Sequence, residues 1–326
     1  MPDRPRLTPA IADTRRAVRD VLPADGALML VALSGGPDSL ALAAATAFEA
    51  PRVGIRVGAV VVDHGLQEGS ADAAARAAQQ ARDLGLDPVL VRTVEVGGDG
   101  GPEAAARSAR YRALDEAMHE TGAAAILLGH TLDDQAETVL LGLGRGSGPS
   151  ALSGMRVVSG RYLRPFLGLR RATTVQACVD AGLEPWLDPH NDDGAFLRVR
   201  VRRDILPVLE QELGPGIAEA LARTADQLRE DDEALDHFAE EIAEDLAEHV
   251  EAGIALPVAA LAVQPAALRQ RLIRYAVESE FHRSLSRDQT LEVARLVTDW
   301  HGQKALHLPG ITVERRGGML HFVARS

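Results

Sequence analysis

The sequence predicts an α/β N-terminal domain with a doubly wound parallel sheet, then a helical middle domain and a small α+β C-terminal region. Up to about residue 145, apolar and β-branched runs alternate with alanine-rich segments that have helical spacing. Beyond about residue 170 the apolar spacing is helical, and short strand-like runs close the chain. At 326 residues the chain is long enough for two or three domains, and we expect a boundary between residues 1–205 and 206–326.

The N-terminal pattern consists of strands and helices that follow one another in turn. The predicted strands cover residues 27–33, 57–62, 89–94 and 125–129, and the predicted helices cover 40–48, 71–84, 103–120 and 133–143. Such alternation is typical of a parallel sheet, in which ligands bind beyond the carboxyl ends of the strands. Polar clusters at residues 34–39, 63–65 and 129–130 all follow strand ends, so the sequence predicts a binding site at that edge.

The remaining elements are less regular. Residues 144–160 are rich in glycine and serine and predict a mobile loop or linker. Helices are predicted at 170–181, 197–213, 266–281 and 287–300, and residues 217–250 predict a long acidic helix or a helical hairpin. Strands are predicted at 305–308, 311–315 and 319–323, with Gly317-Gly318 as a hairpin turn.

Charge is strongly segregated along a chain whose net charge is −12. Residues 145–203 carry 10 basic and 5 acidic groups, whereas residues 204–260 carry 2 basic and 16 acidic groups. Because local potential decides whether a polyanion docks, the acidic total does not exclude nucleic-acid binding by the arginine-rich segment.

Cysteine usage and the chain start bear on compartment. The single cysteine, Cys178, excludes an internal disulfide or a Cys-x-x-Cys pair, and its apolar surroundings predict a buried structural thiol. The sequence shows neither a signal pattern at its start nor an uncharged apolar stretch near the ~20 residues that cross a bilayer. We therefore expect a cytoplasmic protein without membrane attachment, and no obligate protein partner is evident.

A compact phosphate-binding loop follows the first predicted strand. Its residues are Ser34, Gly35, Gly36, Pro37, Asp38 and Ser39. Adjacent glycines let backbone N–H groups approach phosphate oxygens, the serines add hydroxyl donors, and the next helix presents its positive end. Asp38 would repel phosphate unless a cation shields it, which suggests Mg²⁺. The loop predicts an enzyme that splits ATP between its α and β phosphates.

A structural alternative exists for this loop. A Gly-Gly turn between a strand and a helix, with Ser39 or Asp38 capping the helix, would give the same residues. A Walker loop is excluded more firmly, because it needs Gly-Lys-Ser/Thr and the only lysine is Lys304.

Three carboxylates lie within five residues at a second strand-to-helix junction, in the segment 129–138. On a helix, Asp134 and Glu137 share a face, and two such carboxylates suit an ammonium group or a metal ion. The alternative is that one of them serves only as a helix cap.

At this point the chain resembles the tRNA(Ile)-lysidine synthases, a branch of the pyrophosphate-loop ATPases, over most of residues 27–207. The order and spacing of eight motifs carry the resemblance. They are residues 34–39, 62–65 (Val-Asp-His-Gly), 106–111 (Ala-Arg-Ser-Ala-Arg-Tyr), 129–138, 145–148 (Arg-Gly-Ser-Gly), 163–167 (Leu-Arg-Pro-Phe-Leu), 186–192 (Trp-Leu-Asp-Pro-His-Asn-Asp) and the arginine-rich 198–202.

The resemblance implies an adenine nucleotide α-hydrolase-like domain at 1–205 and a tRNA-binding domain at 206–326. ATP would adenylate the C2 oxygen of the wobble cytidine of a CAU-anticodon tRNA(Ile) and release pyrophosphate, and the ε-amine of L-lysine would then attack C2 and release AMP. A nearby carboxylate could deprotonate that amine, although the residues do not distinguish which one.

The same resemblance implies roles for individual residues. The implied ATP ligands are Ser34, Gly35, Gly36, Pro37, Asp38, Ser39, Asp63, His64, Gly129 and His130, with Asp38 on Mg²⁺. The implied catalytic residues are Asp38, Asp134, Glu137 and Arg110, and Asp134 and Glu137 would bind lysine. Either Arg107 or Arg110 would contact the nucleotide or the adenylated tRNA. The implied tRNA contacts are Arg107, Arg145, Arg164, Arg198, Arg200 and Arg202.

The chain departs from the family pattern in two ways. It has Arg198-Val199 where Arg-Asn is frequent, and it is expected to lack the long additional C-terminal domain of some members. Three other functions fit part of the sequence. A tRNA 2-thiolation enzyme would normally need more cysteines than Cys178. An amide-forming synthetase would not use the basic segment, and a purely RNA-binding module would not use Asp38, Asp134 and Glu137.

Overall fold

The computed structural model describes residues 7–23, 26–63, 65, 69–94, 102–146, 148–186, 194, 196–250 and 253–325, without the side chains of 102–104. The chain divides into two compact units, Met1–Asp226 and Gln227–Ser326. Across these described ranges, we find no helix with the length and apolar character that crossing a bilayer would require.

The first unit alternates strands and helices up to residue 144, as predicted. Its opening elements are α1 (Pro9–Arg19), β1 (Leu28–Ala32), α2 (Pro37–Glu49), β2 (Arg56–Asp63), α3 (Ser70–Asp83), β3 (Val89–Thr93), α4 (Pro102–Thr121), β4 (Ala125–Leu127) and α5 (Leu132–Gly144). It continues with α6 (Pro149–Leu152), β5 (Val158–Ser159), β6 (Tyr162–Leu163), α7 (Arg171–Asp180), α8 (Leu197–Arg200) and α9 (Leu206–Glu212). A π-helical turn, Val201–Ile205, joins α8 to α9.

The six strands of this unit form one sheet in the order β3-β2-β1-β4-β6-β5. All neighbours are parallel except β5, which runs antiparallel to β6. The strand order changes direction between β1 and β4, because β2 and β3 lie on one side of β1 and β4 lies on the other. This switch point is where open α/β sheets bind ligands, and the segments after β1 and β4 are those that the sequence singled out.

Both faces of the sheet are covered, which explains the continuous apolar runs. Met29 and Val31 of β1 pack into a core shared with α1, α2, α3 and α7. Leu28 and Leu30 point to the opposite face, where α4 contributes Leu114. Because successive side chains of β1 point to opposite faces of the sheet, the strand packs into two cores. These two cores fix β1 and the loop after it in the centre of the unit.

The second unit holds the end of a long helix and an antiparallel sheet. Helix α10 (Ile217–Leu246) begins in the first unit and ends in the second. The remaining elements are β7 (Glu248–Val250), β8 (Gly253–Pro257), α11 (Val258–Val263), α12 (Ala266–Phe281), α13 (Arg287–Thr298), β9 (Leu306–Leu308), β10 (Ile311–Arg316) and β11 (Met319–Ala324). The sheet order is β7-β8-β11-β10-β9, and its core includes Phe322 and Leu272.

The predicted fold class is confirmed, with local corrections. The acidic pattern at 217–250 forms one helix that ends at residue 246 and not a hairpin. The predicted hairpin turn is confirmed, since Gly317 and Gly318 both have positive φ between β10 and β11. The segment predicted as a linker contains the helical turn α6 and the strand β5. Helices α1 and α11 and strand β8 were not predicted.

Candidate active site

The loop between β1 and α2 is organised by two serine hydroxyls. The backbone N–H of Ser34 donates to Oγ of Ser39 at 3.2 Å, and the two hydroxyl oxygens lie 3.1 Å apart. Ser39 Oγ in turn donates to the carbonyl of Gly36 at 3.0 Å. Gly35 has a φ of 82°, which is the left-handed conformation that glycine favours. The loop is therefore a closed turn with its hydroxyls gathered at the end of β1.

The start of α2 carries no side-chain cap. Gly36 is the N-cap residue, Pro37 occupies the first turn, and no side chain accepts from the first N–H groups. The alternative in which Ser39 or Asp38 simply caps this helix is therefore wrong. An uncapped N-terminus beside two hydroxyls offers backbone donors to an anion.

The segment after β4 packs directly on this loop. A Cβ placed on Gly129 would lie 3.0 Å from the carbonyl carbon and oxygen of Asp38 and 3.1 Å from the backbone nitrogen of Ser39. Only glycine permits this approach without displacing the loop. The close contact sets the ends of β1 and β4 side by side, as the switch point requires.

Helix α5 begins with a capping box that uses one side of Asp134. Its Oδ2 atom accepts from the backbone N–H of Thr131 at 2.8 Å and from the Thr131 hydroxyl at 2.9 Å. The capping interpretation thus holds for Oδ2 alone. The other oxygen, Oδ1, faces a cluster of arginines, and Glu137 takes no part in the cap.

Three arginines surround Asp134 and Glu137. Arg171 Nη2 donates to Asp134 Oδ1 at 2.8 Å. Glu137, whose side chain is 0% exposed, accepts from Arg202 Nε at 2.7 Å and from Arg198 Nε at 2.8 Å. The buried glutamate is therefore fully paired, as a charged group in that position must be.

Asp38 joins the same cluster through the first turn of α7. Arg171 Nε donates to Asp38 Oδ2 at 3.2 Å, and the Thr174 hydroxyl donates to Asp38 Oδ1. The phosphate-loop carboxylate and the two carboxylates of α5 are thus connected through one guanidinium group. The structure brings Asp38, Asp134 and Glu137 together, which the sequence only implied.

Burial and the arginines shift the pKa values of these groups in opposite directions. Burial raises the pKa of Asp38, although Arg171 and Thr174 partly oppose the shift. Burial would also raise the pKa of Asp134, but Arg171, Arg198 and other hydrogen-bond partners outweigh it and lower that pKa to about 2. Asp134 is therefore an anion at neutral pH.

His130 is the neutral member of the site. Burial, helped by Arg110 and Arg164, lowers the pKa of His130 to about 3, with Asp134 acting against the shift. Its Nδ1 atom is buried and has no hydrogen-bond partner within the described residues. Burial also lowers the pKa of Arg110. The neutral imidazole of His130 therefore lies within the electrostatic influence of Asp134, Arg110 and Arg164.

The other predicted residues lie in varied surroundings. Asp63 is buried at the end of β2, where its Oδ1 accepts from the N–H of Gly65 at 3.0 Å. Arg164 is only 7% exposed and donates to the carbonyl of Arg156 at 3.1 Å. Exposed positions are held by Arg107, Arg145 and Arg200. His64 and the motif residues 147 and 187–192 lie outside the described residues.

Cys178 is buried, so that prediction is confirmed. Its Sγ donates to the carbonyl of Pro37 at 3.2 Å, directly under the phosphate loop. Burial, with Asp38 nearby, raises the pKa of the thiol to about 11. The group is a packed thiol at neutral pH and not a thiolate nucleophile.

Two residues of the cluster, Arg171 and Thr174, were missed by sequence reasoning. Arg170 and Arg171 occupy the N-cap and first position of α7, and its first turn has no acidic residue. Cations at the positive end of a helix conflict with its dipole, and such conflicts concentrate at functional sites. These two arginines at the N-terminus of α7 were the sequence feature that could have marked Arg171 as a site residue.

The fold and the site at the loop between β1 and α2 are those of a PP-loop protein, and the matching family models agree. Residues 11–209 match the model of the PP-loop domain, and residues 256–321 match that of the TilS substrate binding domain. Among solved structures, the chain is similar to a U34-tRNA thiolase from Methanococcus maripaludis, with a TM-score of 0.57 and 19% identity over 68% of this chain and 80% of that one. This likeness supports the fold alone.

Closely similar relatives identify the family within this class. The chain is 66% identical over 300 residues to the tRNA(Ile)-lysidine synthase of Leifsonia xyli subsp. xyli, covering 92% of this chain and 90% of that one. It is 55% identical over 304 residues to the tRNA(Ile)-lysidine synthase of Thermobifida fusca, covering 93% and 92%. The chain belongs to the tRNA(Ile)-lysidine synthase family.

Proposed function

We propose that this protein joins L-lysine to C2 of the wobble cytidine of a CAU-anticodon tRNA(Ile), using ATP and releasing AMP and pyrophosphate. The observation that carries the proposal is the single cluster in which the phosphate-loop residue Asp38 meets Asp134 and Glu137. In this proposal, ATP chemistry and cation binding would take place beside each other. A cytoplasmic location is part of the same proposal.

The loop residues would bind ATP. The uncapped start of α2 and the hydroxyls of Ser34 and Ser39 supply donors for phosphate oxygens. Mg²⁺ prefers oxygen ligands and binds through one or two carboxylates together with substrate phosphates, which the Asp38 carboxylate beside these hydroxyls fits. The metal would neutralise charge on the phosphates while the C2 oxygen of the cytidine attacks the α phosphorus and pyrophosphate leaves.

Asp134 and Glu137 would hold the lysine substrate by an ammonium group. Asp134 remains ionised because its pKa is held at about 2, and Glu137 lies one helical turn further along the same face of α5. In the second step the ε-amine of lysine, deprotonated with the help of a nearby carboxylate, forms a C–N bond to C2 of the cytidine, and the C2–O bond to AMP breaks. Arg110 lies close enough to Asp134 to interact with it electrostatically, and we assign it to the adenylated intermediate.

Phosphate groups of the tRNA would be met by the exposed arginines. Arg107, Arg145 and Arg200 are exposed, and phosphate contacts of this kind position a nucleic acid without reading its sequence. Arg164, Arg198 and Arg202 instead face partners inside the first unit, so we assign them to the pocket. We propose that residues 206–326 form the domain that binds the body of the tRNA.

The test is transfer of labelled lysine to a tRNA(Ile) transcript with a CAU anticodon, in the presence of ATP and Mg²⁺. Wild-type protein should incorporate lysine and form AMP, and Asp38→Ala should lose transfer because the metal and nucleotide are no longer held. A matched control is Asp72→Ala. Asp72 also lies in the first turn of a helix, α3, but is exposed.

The outcomes separate the possible functions. Transfer that is lost in Asp38→Ala and kept in Asp72→Ala supports both the reaction and its ATP site. AMP formation with another nucleic acid or a small acceptor, without lysine transfer, would move the chain to a different PP-loop activity. If wild-type protein forms neither product, the phosphate-loop assignment is wrong.

A further inference from the structure

Arg171 contacts all three carboxylates of the candidate active site. Its Nε donates to Asp38 at 3.2 Å, its Nη2 to Asp134 at 2.8 Å and its Nη1 to Glu137 at 3.5 Å. Asp38, Asp134 and Glu137 together raise the pKa of Arg171 against the effect of burial, so the guanidinium stays charged. No other described residue makes ion pairs with both the phosphate loop and α5.

The pocket assigned to lysine therefore already contains a cation. Arg171, Arg198 and Arg202 supply three positive charges to the three carboxylates. With Arg171 in place, an incoming lysine ammonium would join three guanidinium groups around Asp134 and Glu137. With Arg171 withdrawn it would join two, and one acceptor position on each of these two carboxylates would open.

We propose that Arg171 is a positioning residue that fills the lysine pocket until Asp38 binds the magnesium nucleotide, so that ATP binding raises the affinity for lysine. This inference rests on the proposed function. It assigns an order to the two substrates. The cation pocket opens only when the nucleotide that must react first is present.

The geometry of α7 supplies the coupling. Arg171 and Thr174 lie on the first turn of α7 and bind the two oxygens of Asp38, one each. When Asp38 ligates Mg²⁺, the metal and the guanidinium are like charges on one carboxylate and repel each other. The nucleotide phosphates beside the loop attract a guanidinium strongly, because its donors match phosphate oxygens in pairs. Both effects draw Arg171 away from Asp134 and Glu137.

Calorimetric titration of the full chain with L-lysine tests this directly. Titrations are compared in buffer with Mg²⁺ alone and in buffer with Mg²⁺ and saturating α,β-methylene ATP, which cannot be split between its α and β phosphates. Wild-type protein should bind lysine more tightly with the nucleotide, by a factor of about 5 to 150, the usual range of coupling between two sites. Because binding coupling is reciprocal, lysine should tighten nucleotide binding by the same factor.

Substitution of Arg171 should remove the coupling. Arg171→Gln should bind lysine without nucleotide more tightly than wild type does, and its ratio of affinities with and without nucleotide should fall close to 1. Arg170→Gln is the matched control. Arg170 is the adjacent arginine, and its ion pairs are with Asp133, Glu210 and Glu219, so its ratio should stay at the wild-type value.

Each outcome of these lysine titrations either supports or overturns the role proposed for Arg171. If wild-type lysine affinity is the same with and without nucleotide, or if Arg171→Gln keeps the full ratio, the inference is overturned while the proposed function stands. If wild-type protein binds no lysine in either buffer, the proposed function itself fails. Should Arg171→Gln not fold by circular dichroism, Arg171→Lys replaces it. A single ammonium cannot contact three carboxylates as the guanidinium does, so the ratio should fall at least about threefold.

Discussion

Both units of this protein contain a half-buried arginine that binds two or more carboxylates, yet the two clusters differ in composition. In the second unit, Arg271 pairs with Asp232 and Asp236, and thereby joins α12 to α10. In the first unit, Arg171 is one of three arginines, and the carboxylates come from α2 and α5. One cluster links two helices, whereas the other gathers charge from several elements at the switch point of a sheet.

The difference shows how a structural ion pair can be told from a functional one. Arg271 spans one helix pair, next to a groove of about 350 Å³ that it lines with Asp236 and Tyr275 among others. The first cluster joins three arginines to three carboxylates, and it adjoins His130, whose Nδ1 has no hydrogen-bond partner among the residues that the structure describes. A buried polar atom without a partner beside a charged cluster indicates a place for a ligand.

Neutralising one carboxylate in each cluster should show most clearly which cluster is structural and which is functional. Glu137→Gln removes a charge that would bind lysine, and we expect kcat/KM for lysine to fall by about 30- to 1000-fold, since disrupting a buried charge pair costs about 2–4 kcal/mol. Asp232→Asn should leave this activity within about threefold of wild type. Steady-state lysine transfer measures both. Equal losses in the two variants would contradict the distinction.

In the second unit, we expect substitution of the cluster to lower stability, whereas in the first unit we expect it to lower activity. Arg271→Met leaves Asp232, which is 6% exposed, without its cation, and should lower the free energy of unfolding of that unit by about 3 kcal/mol. The chain has two tryptophans, so a Trp186→Phe background leaves Trp300 of the second unit as the sole tryptophan reporter in a urea titration.

The matched control for that titration is Arg274→Met. Arg274 lines the same groove and makes no ion pair among the described residues, so its removal should change the unfolding free energy by about 0.5 kcal/mol or less. A loss as large as that of Arg271→Met would show that side-chain packing, and not the ion pair, holds the helices.

His130, whose Nδ1 has no hydrogen-bond partner in the described part of the chain, should affect the pH dependence of stability. His130 has a folded-state pKa of about 3, against about 6.5 in an unfolded chain, so between these values the unfolded state binds the extra proton. Stability should therefore fall as pH drops from 6.5, by up to about 1.4 kcal/mol per pH unit. The contribution of Asp134, whose pKa is lowered to about 2, is lost only below about pH 4.

Comparison of wild type with His130→Gln isolates this effect. The variant should lose the extra slope between pH 4 and 6.5, so the wild-type free energy of unfolding minus that of the variant should increase steadily as pH rises through this range, in chemical denaturation series at fixed ionic strength. A difference that stays constant across this range would mean that His130 is not held neutral in the folded protein.

These comparisons also show what the sequence could predict. The phosphate loop and the pair Asp134 and Glu137 were identified because local chemistry marks them and parallel strands bring their ends to one edge. The inward positions of Arg198 and Arg202 were not, because only the packing of α8 and the π turn against α5 decides which way they point. From sequence alone, an arginine-rich segment is interpreted as solvent-exposed, because the ion-pair partners of its side chains are not known.

The missed elements have similar causes. Strand β8 is a five-residue apolar run followed at once by α11, and a run that short fits a strand or a helix equally well. Helix α1 is polar on much of its surface and buries only Ala10, Thr14 and Val18 among its residues. The tertiary contacts that select these elements lie far away in the sequence.

The exposed arginines offer the smallest effect and a last contrast with the buried ones. Arg107 is exposed, and its guanidinium carbon lies 4.9 Å from the ring centroid of Tyr111. If it contacts a tRNA phosphate, Arg107→Ala should weaken tRNA binding by less than about tenfold and reduce the slope of log K against log salt by about one. Filter binding across a salt series measures the slope. Arg16, which is exposed on α1 and pairs with Asp13, is the control whose removal should leave that slope unchanged, and an equal change in both variants would indicate a general loss of charge without a specific phosphate contact.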